Sequence, residues 1–406
     1  MSALLAVAGV CTWLEPQHQI GEGPAMISTS PHDPPFRADQ VGSLLRPEAL
    51  KRARQARAAG KIDDADLRKL EDDAIRRVVQ QQEEFGLQSI TDGEFRREDF
   101  YTDFFVRGLG GVTVRPETTV AHFVDHEGRR IPVPWTQVTA RLHWKSPIYV
   151  DHFKFLRGLT QRTPKLTIPS PIILHFTSGS KQLREGAYPD IDQFWSDIVD
   201  SYQKETKALF DAGARYLQVD DPPMATLCNE GFQNMVRSRG DDPIYLLTEL
   251  YPKMINRAFE GRPAGLHLAM HLCRGNNQSG WFAEGGYEPV AEALFNTVNV
   301  DSYFLEYETD RAGTFEPLRF VPKNKTIVLG LVSSKLPQLE SKDTLKRRIE
   351  EASHYVDIDQ LCLSPQCGFA SSTEGNRLTE KDQFAKLRLV VEVANEVWGT
   401  RKAVSG

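Results

Sequence analysis

No stretch of this sequence is long and apolar enough to cross a bilayer, no Lys/Arg-rich block runs through it, and no segment repeats another. Its opening, MSALLAVAGVCTWLEP, has no positive region ahead of its apolar residues and falls short of the ~20 residues a spanning helix needs. Neither a signal peptide nor an anchor fits, so residues 1–34 read as a loose leader, with Met26 competing with Met1 as the translation start. With a formal net charge of −6 there is no broad cationic face for a phosphate backbone, which excludes nucleic acid and a membrane as expected partners. Cysteine is scarce. The five residues, Cys11, Cys228, Cys273, Cys362 and Cys367, are odd in number and lack the dense spacing of a disulfide scaffold, which points to a reducing, cytoplasmic setting.

What the chain does have is the composition of a globular protein with a large core, 40% hydrophobic and 26% charged. A homo-oligomer is compatible with it. Short β-rich apolar runs alternate with amphipathic stretches, the pattern of parallel strands linked by helices. The strand candidates are 38–43, 87–94, 166–174, 215–221, 266–273, 302–308, 326–333 and 360–367. Helical spacing fills 64–85, 191–212, 243–259, 343–353 and 379–398. Eight strands in this rhythm predict an α/β fold, a (β/α)8 TIM barrel formed by residues 35–406 as a single catalytic domain. Residues 108–147 break the rhythm: apolar and polar residues alternate around the turn-like HEGRR, predicting a β-hairpin insertion after the second strand, over one mouth of the barrel.

Chemistry in such barrels gathers where strands end and βα loops begin. Here those ends carry Ser43, Asp92, Glu94, Asp220, Asp221, His271, Cys273, Glu306, Glu308 and Cys367. Zinc takes thiolate, imidazole and carboxylate in tetrahedral arrays, and closure of the barrel would bring His271, Cys273, Glu306 and Cys367 together. A buried histidine beside a core-like thiol is the competing reading of His271 and Cys273. Cys362 lies inside a strand, where packing explains it, and Cys11 and Cys228 have no partner pattern. Zn2+ with two thiolates and one carboxylate carries about −1. That makes it a weak Lewis acid for water but a good holder of a further, still nucleophilic thiolate, so alkyl transfer to sulfur is the expected reaction.

Six motifs, VGS (41–43), DGEF (92–95), LQVDDPP (217–223), HLC (271–273), FLEYE (304–308) and SPQCG (364–368), occur in the order of a known family. Over about residues 36–398 the chain resembles the catalytic half of cobalamin-independent methionine synthase, within the barrel superfamily that includes epoxyalkane:coenzyme M transferase and uroporphyrinogen decarboxylase. The resemblance implies zinc ligation by His271, Cys273, Glu306 and Cys367, and a homocysteine amino-acid group held by Ser43, Glu94 and Asp220. It also implies an aromatic stacked on the donor, near Phe176, which reads equally as a core phenylalanine. Where the family has a proton-donating histidine after the seventh strand, this chain has Lys335, either an acid or a solvated loop charge. The family's full-length enzyme has a second, N-terminal barrel that helps hold a polyglutamylated folate, and 406 residues have no room for it, which leaves the methyl donor open.

Three side readings complete the picture. Arg96, Phe100 and Tyr101 line the pocket or belong to a helix with one apolar face; Asp310 and Arg311 form a loop ion pair; GLGG (108–111) is a hinge into the hairpin. The expected activity is that of a zinc-dependent S-methyltransferase, like 5-methyltetrahydropteroyltriglutamate–homocysteine S-methyltransferase, moving a methyl group from a small donor to a zinc-bound thiol, with homocysteine the expected thiol. Two alternatives stay open: zinc-dependent opening of an epoxide by coenzyme M or a similar thiol, and a metal-free decarboxylase-type barrel.

Overall fold

The computed structural model describes residues 33–115, 122–133 and 135–399. Met26, Cys11 and all of the predicted leader except Asp33 and Pro34 lie outside the described residues. Among them no helix is long and apolar enough to cross a membrane.

The described strands are β1 (Ser89–Ile90), β2 (Leu109–Arg115), β3 (His122–Val124), β4 (Arg130–Pro132), β5 (Trp135–Trp144), β6 (Thr163–Pro169), β7 (Tyr216–Asp220), β8 (His267–Leu272), β9 (Ser302–Glu306), β10 (Thr326–Val332) and β11 (Leu361–Pro365). Seven of them form one sheet in the order β1-β6-β7-β8-β9-β10-β11, with every neighbouring pair parallel. Every residue of β7, β9, β10 and β11 is buried, as parallel strands covered on both faces must be, and this is why they read as near-continuous apolar runs. The arrangement is that of a TIM-like barrel.

The predicted first strand is the least regular. Ala38 makes one parallel bridge to Leu363, with Asp39 N–H donating to Leu363 O and Leu363 N–H to Arg37 O, each at 2.9 Å. Six residues on, Leu44 N–H donates to Gly93 O at 3.0 Å and Thr91 Oγ1 to Gly42 O at 2.7 Å. The segment therefore touches both edge strands of the sheet without a continuous ladder, because Gly42 at φ +138° turns the backbone out of strand geometry. The predicted strand 166–174 also ends early. Pro171 has no N–H to give a ladder, and the chain turns into a helix over Ile173–Ser178.

Between β1 and β6, β2 pairs antiparallel with β5 from Leu109↔Trp144 to Arg115↔Trp135, and β3 pairs antiparallel with β4. The turn joining β3 and β4 is closed by Asp125 Oδ1, which accepts the N–H groups of Glu127 and Arg129 at 2.9 Å.

Candidate metal centre and active site

The end of β8 and the loop after β11 bring three soft donors into one place. His271 Nε2, Cys273 Sγ and Cys367 Sγ all lie within 4.8 Å of one another, and all three residues are buried. Strand alternation puts His271 and Cys273 on one face, and β11 ends at Pro365, so Cys367 stands in the loop just beyond it. His271 Nδ1 faces the Phe304 carbonyl at 3.2 Å, which assigns the proton to Nδ1 and leaves the Nε2 lone pair toward the sulfurs, 3.3 Å from Cys367 Sγ. Tetrahedral zinc with bonds of ~2.0 Å to nitrogen and ~2.3 Å to sulfur would separate those donors by about 3.5 Å, so the set fits the ion. Cys273 is held well below an ordinary thiol, first by the hydrogen bond with Cys367 and then by His271, while Cys367 moves well above it. Burial lowers the His271 imidazole, but Cys273, Asp220 and Glu306 outweigh it and leave the ring above its usual value.

Glu306 is not one of the converging donors. Its Oε1 accepts Arg311 Nη2 at 2.5 Å and its Oε2 the backbone N–H of Arg274 at 2.6 Å, the residue directly after Cys273. Arg311 also reaches Glu308 at 2.7 Å, so its partners are the two acids at the end of β9 and not Asp310. Burial alone would raise the Glu306 carboxyl; Lys335, Arg311 and Arg274 override it and hold the group down at about 2. The acid is therefore an anion anchored beside the three donors.

The residues expected around the amino-acid group also meet here. Asp220 and His271 are register partners on β7 and β8. Burial pushes the Asp220 carboxyl up to about 7, against the pull of His271, and its Oδ1 accepts Gln218 Nε2 at 2.6 Å. Glu94 stands in the left-handed region at φ +59°, which is strained for a glutamate. Its Oε1 accepts Thr167 Oγ1 at 2.8 Å, while its buried Oε2 has no hydrogen-bond partner among the described residues and lies 3.6 Å from Arg97 Nη1. Ser43 packs on the loop carrying Cys367: a Cβ at Gly368 would overlap Ser43 Oγ, and the Ser43 carbonyl accepts Phe369 N–H at 2.8 Å.

Lys335 is 1% exposed, so the solvated-charge reading fails; its Nζ donates to Asn276 Oδ1 at 3.2 Å. Phe176 is buried and stacks on Trp135 of β5, centroids 6.0 Å apart. Arg96 turns away from the site to Asp72 and the Phe155 ring. Sequence reasoning missed Arg97 and Arg274, both fully buried, as buried arginines leave no periodic signal.

The turn between β3 and β4 reaches the same region from the other side. Val124 and Trp281 exchange backbone hydrogen bonds at 2.7 and 3.0 Å, Phe123 packs on Phe282 at 5.0 Å, and Asp125 pairs with Arg377 at 3.0 Å. His126 meets the Trp281 ring at 4.8 Å, and the Arg311 guanidinium lies 4.6 Å over that same ring. Gly275, at φ +92°, makes room for this: a Cβ there would collide with Phe282 and lie 2.9 Å from Phe123. Gly275→Ala is expected to cost about 2 kcal/mol, read as a lower urea midpoint at unchanged slope. An unchanged midpoint would mean that the turn is not seated by this contact.

Comparison with known proteins shows the family. The sequence model described as "Cobalamin-independent synthase, Catalytic domain" matches residues 36–396. The uncharacterised protein YxjG of Bacillus subtilis is 47% identical over 369 residues, covering 90% of this chain and 95% of that one. A protein named methionine synthase from Pyrococcus abyssi is 24% identical, over 81% of this chain and 84% of its own length. A solved structure from Listeria monocytogenes, provisionally described as a vitamin-B12-independent methionine synthase, superposes with a TM-score of 0.68 at 36% identity, covering 90% of this chain and 99% of the other. With motif order, fold and model match in agreement, this chain belongs to the family of cobalamin-independent synthase catalytic domains.

Proposed function

We propose that the protein is a zinc-dependent thiol S-methyltransferase acting on homocysteine. The convergence of His271 Nε2, Cys273 Sγ and Cys367 Sγ within 4.8 Å carries this reading, since two thiolates and an imidazole suit zinc. Bound there, zinc would keep an incoming thiol ionised at neutral pH. On this reading residues 38–43 are the first strand of a closed (β/α)8 barrel and 108–147 the cover on its mouth.

The side chains around the donors have separate tasks. Glu94 Oε2 and Asp220 take the substrate ammonium, and the Ser43 hydroxyl its carboxylate, which fixes the sulfur's direction of attack. The sulfur forms its bond to the methyl carbon as the donor's bond to that carbon breaks. Lys335 Nζ, sheltered from solvent beside Asn276, can hand a proton to the departing atom, worth about 10²–10⁴-fold. Phe176, already stacked on Trp135, lies on the donor side. Glu306, clamped by Arg311, supports the metal with its negative charge, so Glu306→Gln should weaken zinc affinity about 10–100-fold in chelator competition. An unchanged affinity would detach Glu306 from the metal's surroundings.

The test of the whole reading is a homocysteine-dependent methylation assay on the zinc-loaded chain, run across several methyl-folates and simple methyl compounds. Methionine formed in proportion to zinc content is the expected result. Homocysteine left unconsumed with every donor, at full zinc loading, would refute it.

A further inference from the structure

Two arginines stand near one another beside the Trp135 ring, and among the described residues neither has a carboxylate within ion-pair distance. Arg115 ends β2 opposite Trp135 in the β2–β5 ladder, and the Arg239 guanidinium lies 5.4 Å over the Trp135 ring. Among the described residues neither makes an ion pair. Arg115 is held by neutral amides, Gln137 Oε1 and Gln182 Oε1, both at 3.1 Å, and Arg239 by the Phe176 carbonyl at 3.0 Å. Asp241, two residues beyond Arg239, accepts the Ser180 N–H on its Oδ2 at 3.0 Å and is not within ion-pair distance of either guanidinium. A second observation points the same way: Trp135 is 4% exposed, yet its indole N–H has no hydrogen-bond partner among the described residues. Two half-buried cations and an orphaned buried donor around one ring form a cradle for an oxyanion.

We propose that Arg115 and Arg239, beside the Trp135–Phe176 stack, form an anion-binding subsite for a carboxylate or phosphate group of the methyl donor. Forked guanidiniums supply paired donors to such a group, and the aromatic stack carries the flat part of the molecule next to it. The assignment to the donor rests on the methyltransferase reading; anion binding itself does not.

The test is calorimetric titration of the purified full chain with succinate and, separately, with inorganic phosphate at low salt. Saturable binding of at least one is expected, weakened tenfold or more by Arg115→Gln and by Arg239→Gln. Arg319→Gln, which removes an exposed arginine paired with Glu288, should leave it unchanged. The preferred anion tells carboxylate from phosphate. Arg239 also holds a main-chain carbonyl, so Arg115→Gln keeps the test valid if the other variant does not fold. No saturable binding in the wild type, or an equal loss in Arg319→Gln, overturns the subsite. Zinc content and homocysteine binding, measured on the same samples, separate the two claims: both should survive in Arg115→Gln. If the wild type binds anion but neither zinc nor homocysteine, the methyltransferase reading fails and the assignment to a donor fails with it.

Discussion

Cys273→Ser is expected to lose its zinc and to slow homocysteine methylation by about 10³-fold or more. A hydroxyl is a far poorer ligand than a thiolate, and removing Cys273 leaves only His271 and Cys367 of the converging set. Two losses then multiply. A free thiol with pKa ~8.5 is only ~3% ionised at pH 7, which alone costs about 30-fold. The sulfur is also no longer held toward the methyl carbon, and positioning of this kind is worth effective molarities of 10⁵–10⁸ M in favourable cases. Cys367→Ser should behave in the same way. Cys362→Ser is the control, since Cys362 is buried in a separate apolar cluster with Val328 and Phe304 and takes no part in the donor set. Full zinc content in Cys273→Ser would remove that residue from the site.

Asp220→Asn is expected to raise the homocysteine KM about 100-fold with zinc content unchanged, and to raise thermal stability at alkaline pH. The first effect follows from leaving the substrate ammonium without one of its buried carboxylates, worth roughly 2–5 kcal/mol. The second follows from the carboxyl's position. Burial raises it from 3.8 to about 7, so between those values the folded state binds the proton that the unfolded chain releases. Stability from this group is therefore greatest below pH ~4 and falls as pH rises through 7. Asparagine has no proton to lose, so the variant's Tm should exceed the wild type's at pH 8, with the gap closing toward pH 4. In the wild type, homocysteine affinity should climb as pH rises through about 7, where Asp220 ionises. A Tm gap of the opposite sign, or zinc lost with the carboxylate, would show Asp220 to be structural or a ligand.

Much of this site is legible in the sequence, for a reason. Parallel strands buried on both faces read as apolar runs, so a polar residue at the end of such a run stands out; His271, Cys273, Asp220 and Cys367 are of this kind. Their convergence then follows from the neighbouring of β7, β8 and β9 and the return of β11. What could not be read is what depends on the path of loops. Arg311 pairs with Glu306 and Glu308 because a short 3-10 turn over Asp310–Ala312 folds the chain back on β9, which sequence proximity to Asp310 conceals. Lys335 looks like a loop charge in VSSKLPQ and is buried only because three loops close around Asn276 and Asn376. Likewise Arg115 and Arg239 are 124 positions apart and come near each other because both flank Trp135. The first strand is irregular because Gly42 and an ion pair between buried Asp39 and Lys165, 3.3 Å long, shape it more than a ladder does.

The sharpest test is zinc K-edge X-ray absorption on the full chain, with and without homocysteine. Two sulfur scatterers and one histidine nitrogen in the free protein, with a third sulfur added by homocysteine, is the result this account predicts. A shell of oxygen and nitrogen only, or a sulfur count that homocysteine leaves unchanged, would contradict it.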